Sequence, residues 1–417
     1  MKKFLVFLLS MTSQLIAQPA GSPADSVPVM AGYPDFEIVE SVPVETNLDN
    51  PEVRDAREVW LEMFRSARKS IDIEQFYISP QQGEPLDDVI EAVIAAGNRG
   101  VSVRVIVDTR MYKTYPGIPD SLSHLKNIAM RDVDFGKLAG GVQHAKYFIV
   151  DGEQIFLGSQ NFDWRALKHI HELGVRIRHK DAVQIYQDIF ELDWKIAATN
   201  DPSMAANLLV PKRYATPAWV IGSKGDTLKF SPTMSPKSLI FDSTLWDEQK
   251  IVELIDRATG DVWCQFLSYS LIGRDKSRYP VLDDALRRAA ARGVTVRMIV
   301  SDWEKSAAAE KNVKELAGVR NIEVKFSAIP QWSGGYIPYA RVEHCKFLVV
   351  DSSLCWVGTS NWEKSYFYNT RNVGVVVENN TIAGVLRKIF LKSWTGHYTE
   401  LINPSTEYKQ REHGERK

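Results

Sequence analysis

Two histidines, two lysines and two asparagines recur in one spacing. His144, Lys146 and Asp151 make a His-x-Lys-x-x-x-x-Asp pattern in GVQHAKYFIVDGEQIFLGSQN, and His344, Lys346 and Asp351 repeat it in ARVEHCKFLVVDSSLCWVGTSN. Each copy runs on to Gly-Ser/Thr-x-Asn: Gly158, Ser159 and Asn161, then Gly358, Thr359 and Asn361. The offset between copies is 200 residues and holds through Asn161 and Asn361 without slip. These residue types suit attack on phosphorus. One imidazole can attack as a nucleophile, while the other protonates the leaving oxygen and then takes a proton from water. Lys146, Lys346, Asn161 and Asn361 can hold the equatorial oxygens as charge builds on them. Fixed cations supply the charge a metal would supply, so this chemistry calls for no metal and no cofactor. Two buried structural histidines with surface lysines would leave the repeat unexplained.

The elements around the motifs must bring the two sets together. AKYFIVD and CKFLVVD read as strands, with IFLGS and LCWVGTS as second strands after turns at Asp151-Gly152 and Asp351-Ser352. Residues i and i+2 of a strand share a face, which sets each imidazole beside an ammonium. Asp151 and Asp351, five residues after each lysine, fall at the turns and are expected to brace them. Asp163 and Glu363 read as helix-start carboxylates.

The duplication extends to the scaffold. In the first half, helices are expected over 51–67 and 86–98 and strands over 70–79 and 101–108. In the second, helices are expected over 245–258 and 281–292 and strands over 261–270 and 294–301. Arg-Gly-Val-Ser-Val-Arg at Arg99–Arg104 is mirrored by Arg-Gly-Val-Thr-Val-Arg at Arg292–Arg297. Strands alternating with helices predict α/β layers: two pseudo-twofold-related α/β/α sandwich halves forming one site. The halves are expected at 43–200 and 239–403, joined by a proline-rich linker over 201–238 with an edge strand at AWVIG. A loose segment (18–42) and a frayed, charged tail (404–417) flank them.

These blocks resemble the phospholipase D superfamily, whose duplicated motif is this one. GSQNFDWRAL, HELGV, IPYARVEHCKF and GTSNWEKSYF are similar to the branch of the animal lysosomal phospholipase-D-like 5′-exonucleases and the poxviral nicking-joining and envelope proteins. The likeness runs from about Val42 to about Trp394. One departure is Asp351, where the animal enzymes carry Glu. The resemblance also implies a support for the catalytic pair. A carboxylate at the place of Glu172 holds the histidine of the opposite half, here His344. The matching position in the second half is Asn372, so the two histidines are unequal: His344 is expected to lean toward imidazolium, His144 toward the neutral nucleophile.

Composition sets the setting. The chain has 417 residues, 44% of them hydrophobic and 25% charged, enough for two cores. MKKFLVFLLSMTSQLIA reads as a signal peptide cleaved after Ala17, which implies export. Losing Lys2 and Lys3 takes the formal charge from −1 to −3, so any grip on nucleic acid must be local. The three cysteines, Cys264, Cys345 and Cys355, are no disulfide framework, and Cys345 should face away from the motif. Tyr339 lies before the second motif, and Trp362, Tyr366 and Phe367 after it. These aromatics suit base stacking, a lipid-facing rim or core packing. Strict alternation points Arg341 away from His344, so a structural ion pair is the favoured reading and a substrate contact follows only if the strand starts after it. His124, His169, His171, His179, His397 and His413 fit no pattern and read as surface or scaffold. The implied substrate is single-stranded DNA or RNA digested from the 5′ end, through a phosphohistidine. The alternatives are phospholipid, or a non-enzymatic membrane-associated relative; survival of both histidines, lysines and asparagines favours an enzyme.

Overall fold

The computed structural model describes residues 33–415; the expected signal peptide and most of the expected loose segment lie outside them. Among the described residues, two mixed sheets carry the molecule. The first has eight strands in the order Arg54–Asp55, Phe36–Ser41, Glu172–Arg178, Gln154–Gly158, Tyr147–Val150, Ser70–Gln75, Ser102–Asp108, Ile128–Val133. The second has nine: Ala218–Ile221, Thr227–Ser235, Asn372–Glu378, Leu354–Gly358, Phe347–Val350, Asp261–Phe266, Thr295–Ser301, Ile322–Ser327, Thr399–Leu401. The inner strands match one for one, so the duplication read from the motifs extends to sheet order.

Each motif strand is buried on both faces, which is why it reads as an unbroken apolar run rather than an alternation. Tyr147 and Ile149 face a core shared by the two halves, as do Phe347 and Val349. Phe148 and Val150 face the opposite way, onto the outer helices Ala56–Ser66 and Pro85–Asn98. Leu348 and Val350 do the same against Asp247–Asp256 and Val281–Ala291. The helices Lys180–Ile196 and Asn380–Thr395 add their apolar faces to the shared core. At about 25 cal/mol per Å² of apolar area buried, that shared core favours joining the halves. No helix among the described residues is long and apolar enough to cross a membrane.

Four expectations are corrected. Residues Phe36–Ser41 of the expected loose segment form a buried strand paired with Glu172–Arg178. The expected linker contains Thr227–Ser235, which pairs along its length with Asn372–Glu378 and so belongs to the second sheet; AWVIG is the edge strand beside it, as read. The motif strands begin at Tyr147 and Phe347, so both histidines and lysines precede them on extended chain. The described part of the tail, to residue 415, is held: Arg411 and His413 lie against Asp302 in the second half.

Candidate active site

Two short seams assemble the site. On the first, the His144 N–H donates to the Arg371 carbonyl at 3.0 Å and the Arg371 N–H to the Val142 carbonyl at 3.0 Å. On the second, the His171 N–H donates to the Val342 carbonyl at 3.1 Å and the His344 N–H to the His171 carbonyl at 2.9 Å. Each motif is thus zipped to the start of the other half's support strand. A side chain at Gly141, just before the first seam, would collide with the Asn369 carbonyl.

The zipper delivers the expected cross-support. His344 Nδ1 lies 2.7 Å from Glu172 Oε2, and His144 Nδ1 lies 3.1 Å from Asn372 Oδ1. The Asn372 amide nitrogen donates to the Tyr366 and Thr370 carbonyls, so Oδ1 must be the acceptor. The proton on His144 therefore sits on Nδ1, and Nε2 is the nitrogen left for chemistry. Thr359 donates to Asn372 Oδ1 at 2.9 Å, and the Ser159 hydroxyl accepts from the Leu173 N–H beside Glu172. Ser159 and Thr359 thereby hold the supports rather than the substrate.

Lys146 and Lys346 are fully buried, each donating to the carbonyl of its own motif histidine at 2.6 and 2.7 Å. Burial, then the opposing Lys346 ammonium, holds Lys146 well below the usual lysine value. Burial lowers Lys346 to about 8. Burial, then the two ammonium groups, holds both His144 and His344 well below the ordinary histidine value. The expected bias of His344 toward imidazolium is not found: burial first, then the lysine charge, favours its neutral form despite the bond to Glu172. Burial also raises Glu172 well above the usual carboxylate value. An anion among the lysines offsets their charge and favours a proton on His344.

The two histidines and Asn161 and Asn361 open on one cleft of about 510 Å³. Among the described residues, the Oδ1 atoms of both asparagines have no hydrogen-bond partner. Tyr366 lines this cleft, its ring edge-on to His144 at 4.9 Å, and Tyr339 lines its rim. The other substrate candidates are corrected. Trp362 is buried with its ring 4.3 Å from that of Phe266 in the second-half core. Phe367 is likewise core, packed on Tyr279. Arg341 is buried away from the cleft, donating to the Pro330 and Val44 carbonyls at 2.6 Å each. Asp163 starts no helix; it binds Arg165 and accepts from the Tyr77 hydroxyl. Glu363 stands at a helix start but makes no cap bond, accepting instead from Ser268.

Asp151 accepts from the backbone N–H groups of Arg68, Lys69 and Ser70, and Asp351 from those of Thr259, Gly260 and Asp261. Each braces the chain entering the neighbouring central strand, more than its own turn. His171 is scaffold, clamped between Glu40 at 2.9 Å and Glu343 at 2.8 Å. These partners occupy both its nitrogens, although His171, Glu343 and Cys345 could otherwise group around an ion. Cys345 lies in the shared core, off the site.

Sequence reading missed Phe76, Tyr77, Arg110, Tyr115 and Trp303, all lining the cleft. The available signal was position. They follow the C-terminal ends of Ser70–Gln75, Ser102–Asp108 and Thr295–Ser301, where open α/β sheets place ligands.

A duplicated α/β fold that closes two His–Asn pairs on one cleft, with a buried lysine beside each histidine, defines a class of phosphodiesterases. The family model described as "Cardiolipin synthase, PLD-like domain" matches residues 60–194 and 251–394. Phospholipase D Z of Dictyostelium discoideum is 30% identical over 397 residues, covering 87% of this chain and 90% of that protein. The 5′-3′ exonuclease PLD3 of Xenopus laevis is 31% identical over 422 residues, covering 90% and 83%. The phosphatidylserine synthase of Haemophilus influenzae Rd KW20 shares the fold, with a TM-score of 0.59 at 14% identity over 83% of this chain and 85% of that one. The chain belongs to the phospholipase-D-like family, and is a phosphodiesterase of that superfamily.

Proposed function

We propose that the protein is an exported phosphodiesterase that digests single-stranded nucleic acid from its 5′ end through a phosphohistidine. The observation that carries this reading is the pair His144 and His344, each held at Nδ1 from the opposite half, on one cleft with two buried lysines. His144 Nε2 attacks phosphorus, and the P–N bond forms as the P–O bond to the leaving alcohol breaks. His344, protonated in the loaded cage and backed by Glu172, gives its Nε2 proton to that oxygen. Water then attacks phosphorus, returns a proton to His344 and releases His144. Lys146, Lys346, Asn161 and Asn361 hold the non-bridging oxygens throughout. The lysines supply positive charge at the reaction centre, which supports turnover without a divalent ion.

The nucleic-acid substrate is supported by the name of the Xenopus relative and by the cleft's walls. Tyr77 and Tyr115 stack at 5.1 Å on one side, and Trp303 and Tyr339 stand on the other. Tyr339 is exposed and the other three are half-buried; rings that line an open cleft suit unpaired bases, at about 1–3 kcal/mol per stacked base. The second reading, a phospholipid substrate, is favoured by the name of the Dictyostelium relative. Export is carried by the N-terminal sequence alone. The test is purified protein in EDTA, offered 3′-labelled single-stranded DNA, duplex DNA and phosphatidylcholine in parallel. Progressive shortening from the 5′ end of the single strand is expected. Choline release without strand cleavage selects the lipid reading, internal nicks reject the exonuclease, and activity that needs an added metal rejects the mechanism.

A further inference from the structure

Residues 409–415 lie against the rim of the cleft. Arg411 Nη1 stands 3.0 Å from Asp302 Oδ2, and both its terminal nitrogens donate to the Ile329 carbonyl at 3.1 Å. The His413 ring lies 5.2 Å from that of Trp303, and its Nε2 is 3.4 Å from Asp302 Oδ1. The His413 carbonyl accepts from the Tyr339 N–H at 2.5 Å. The Tyr336 hydroxyl donates to the Gly414 carbonyl at 2.6 Å.

Two of the residues held this way are cleft residues. Trp303 follows the buried Asp302 and lines the cleft with both catalytic histidines, as does Tyr339. Their rings stand 6.5 Å apart at 67°. Tyr339 has φ +59°, a conformation that bulky non-glycine residues avoid unless their surroundings impose it. The N–H of this residue is the one that donates to the His413 carbonyl. Arg411 and His413 do not line the cleft themselves.

We propose that residues 409–415 are a strap that sets the Trp303–Tyr339 rim and thereby the binding of an unpaired base beyond the scissile phosphate. This rests on the nucleic-acid reading above. Arg411 and His413 are positioning residues: they act through Asp302, Trp303 and the Tyr339 backbone, and the histidine cage does not depend on them. The strap therefore governs long substrates and leaves small ones alone.

The test compares wild type with Arg411→Ala/His413→Ala, and with the milder Arg411→Ala and Tyr336→Phe, on a short single-stranded oligonucleotide and on bis(4-nitrophenyl) phosphate, which is too small to reach the rim. The expected result is a KM for the oligonucleotide raised roughly five- to hundredfold in the double variant, the worth of one stacked base. The milder variants should move the same way, with both kinetic constants for the small diester unchanged in all three. Equal losses on both substrates would overturn the proposal, because the segment would then be a general brace. So would unchanged constants on both. Wild type that cleaves the small diester and no oligonucleotide refutes the nucleic-acid reading itself, and the strap's proposed role with it.

Discussion

At the scale of single residues, the chemistry is concentrated in His144 and His344. His144→Ala and His344→Ala are each expected to lower turnover by at least about 10²-fold, and the double variant to be little worse than either. A single variant keeping a tenth of the wild-type rate would contradict their roles. The pH profile follows from the directions found. Both histidines sit well below the ordinary value, so the protonated acid is scarce at neutral pH. Lys346, lowered to about 8, loses its charge in mildly alkaline solution. The optimum of kcat/KM should therefore lie on the acid side of neutrality and fall steeply through pH 8, and Glu172→Gln should move the upper limb to lower pH. A flat profile between about pH 5 and 9 would refute this. The cage residues were legible because the chain states them twice. The substrate candidates were not, because an aromatic beside a motif serves a core as readily as a rim. Trp362 and Phe367 went inward, while Tyr366, between them in sequence, meets His144. Arg341 misled for another reason: it occupies the place of Gly141 in the repeat, with φ +56°, and the turned backbone sends its side chain to carbonyl partners away from the cleft.

At the scale of elements, the seams decide whether two halves make one site. Behind the first seam Arg371 is wholly buried and forms a two-pronged ion pair with Asp193 at 2.6 and 2.8 Å, while also donating to the Ser235 and Leu239 carbonyls. Arg371→Met leaves Asp193 charged and unpaired in the interior. It is expected to cost about 3–5 kcal/mol in denaturant unfolding, as for other broken buried pairs. A loss below about 1 kcal/mol would mean that Asp193 finds water or takes a proton at little cost. The regular elements were largely legible, because helices such as Pro85–Asn98 and strands such as Ser102–Asp108 carry their own periodicity. Thr227–Ser235 was hidden by Pro232, which reads as linker. The edge strand covers only Thr227–Phe230, so Pro232 has an open side where its missing N–H costs no ladder bond.

At the scale of the molecule, neither half is a protein by itself. Residues such as Tyr147, Val175, Phe347 and Val375 bury against one common core. Chains cut between residues 209 and 217 and produced separately are expected to be inactive, to expose apolar surface to a reporter dye, and to recover turnover only when produced together. Activity in either piece alone would show that one motif suffices.

Where the supports of the two histidines are concerned, the twofold relation between the halves fails: the carboxylate of Glu172 stands against the amide of Asn372. A symmetric cage would be blind to polarity, because a phosphodiester turned end for end would meet the same groups. This one has a sense of direction. On the proposed mechanism the ester oxygen that leaves lies toward His344, so a strand would thread one way, and the choice of end would follow from which histidine carries the carboxylate support. Exchanging the supports, Glu172→Asn with Asn372→Glu, is expected to slow the enzyme and to weaken its choice of end, read as shortening from both termini of a doubly labelled strand. Retention of strict one-ended digestion would place the sense of direction in the walls of the cleft instead.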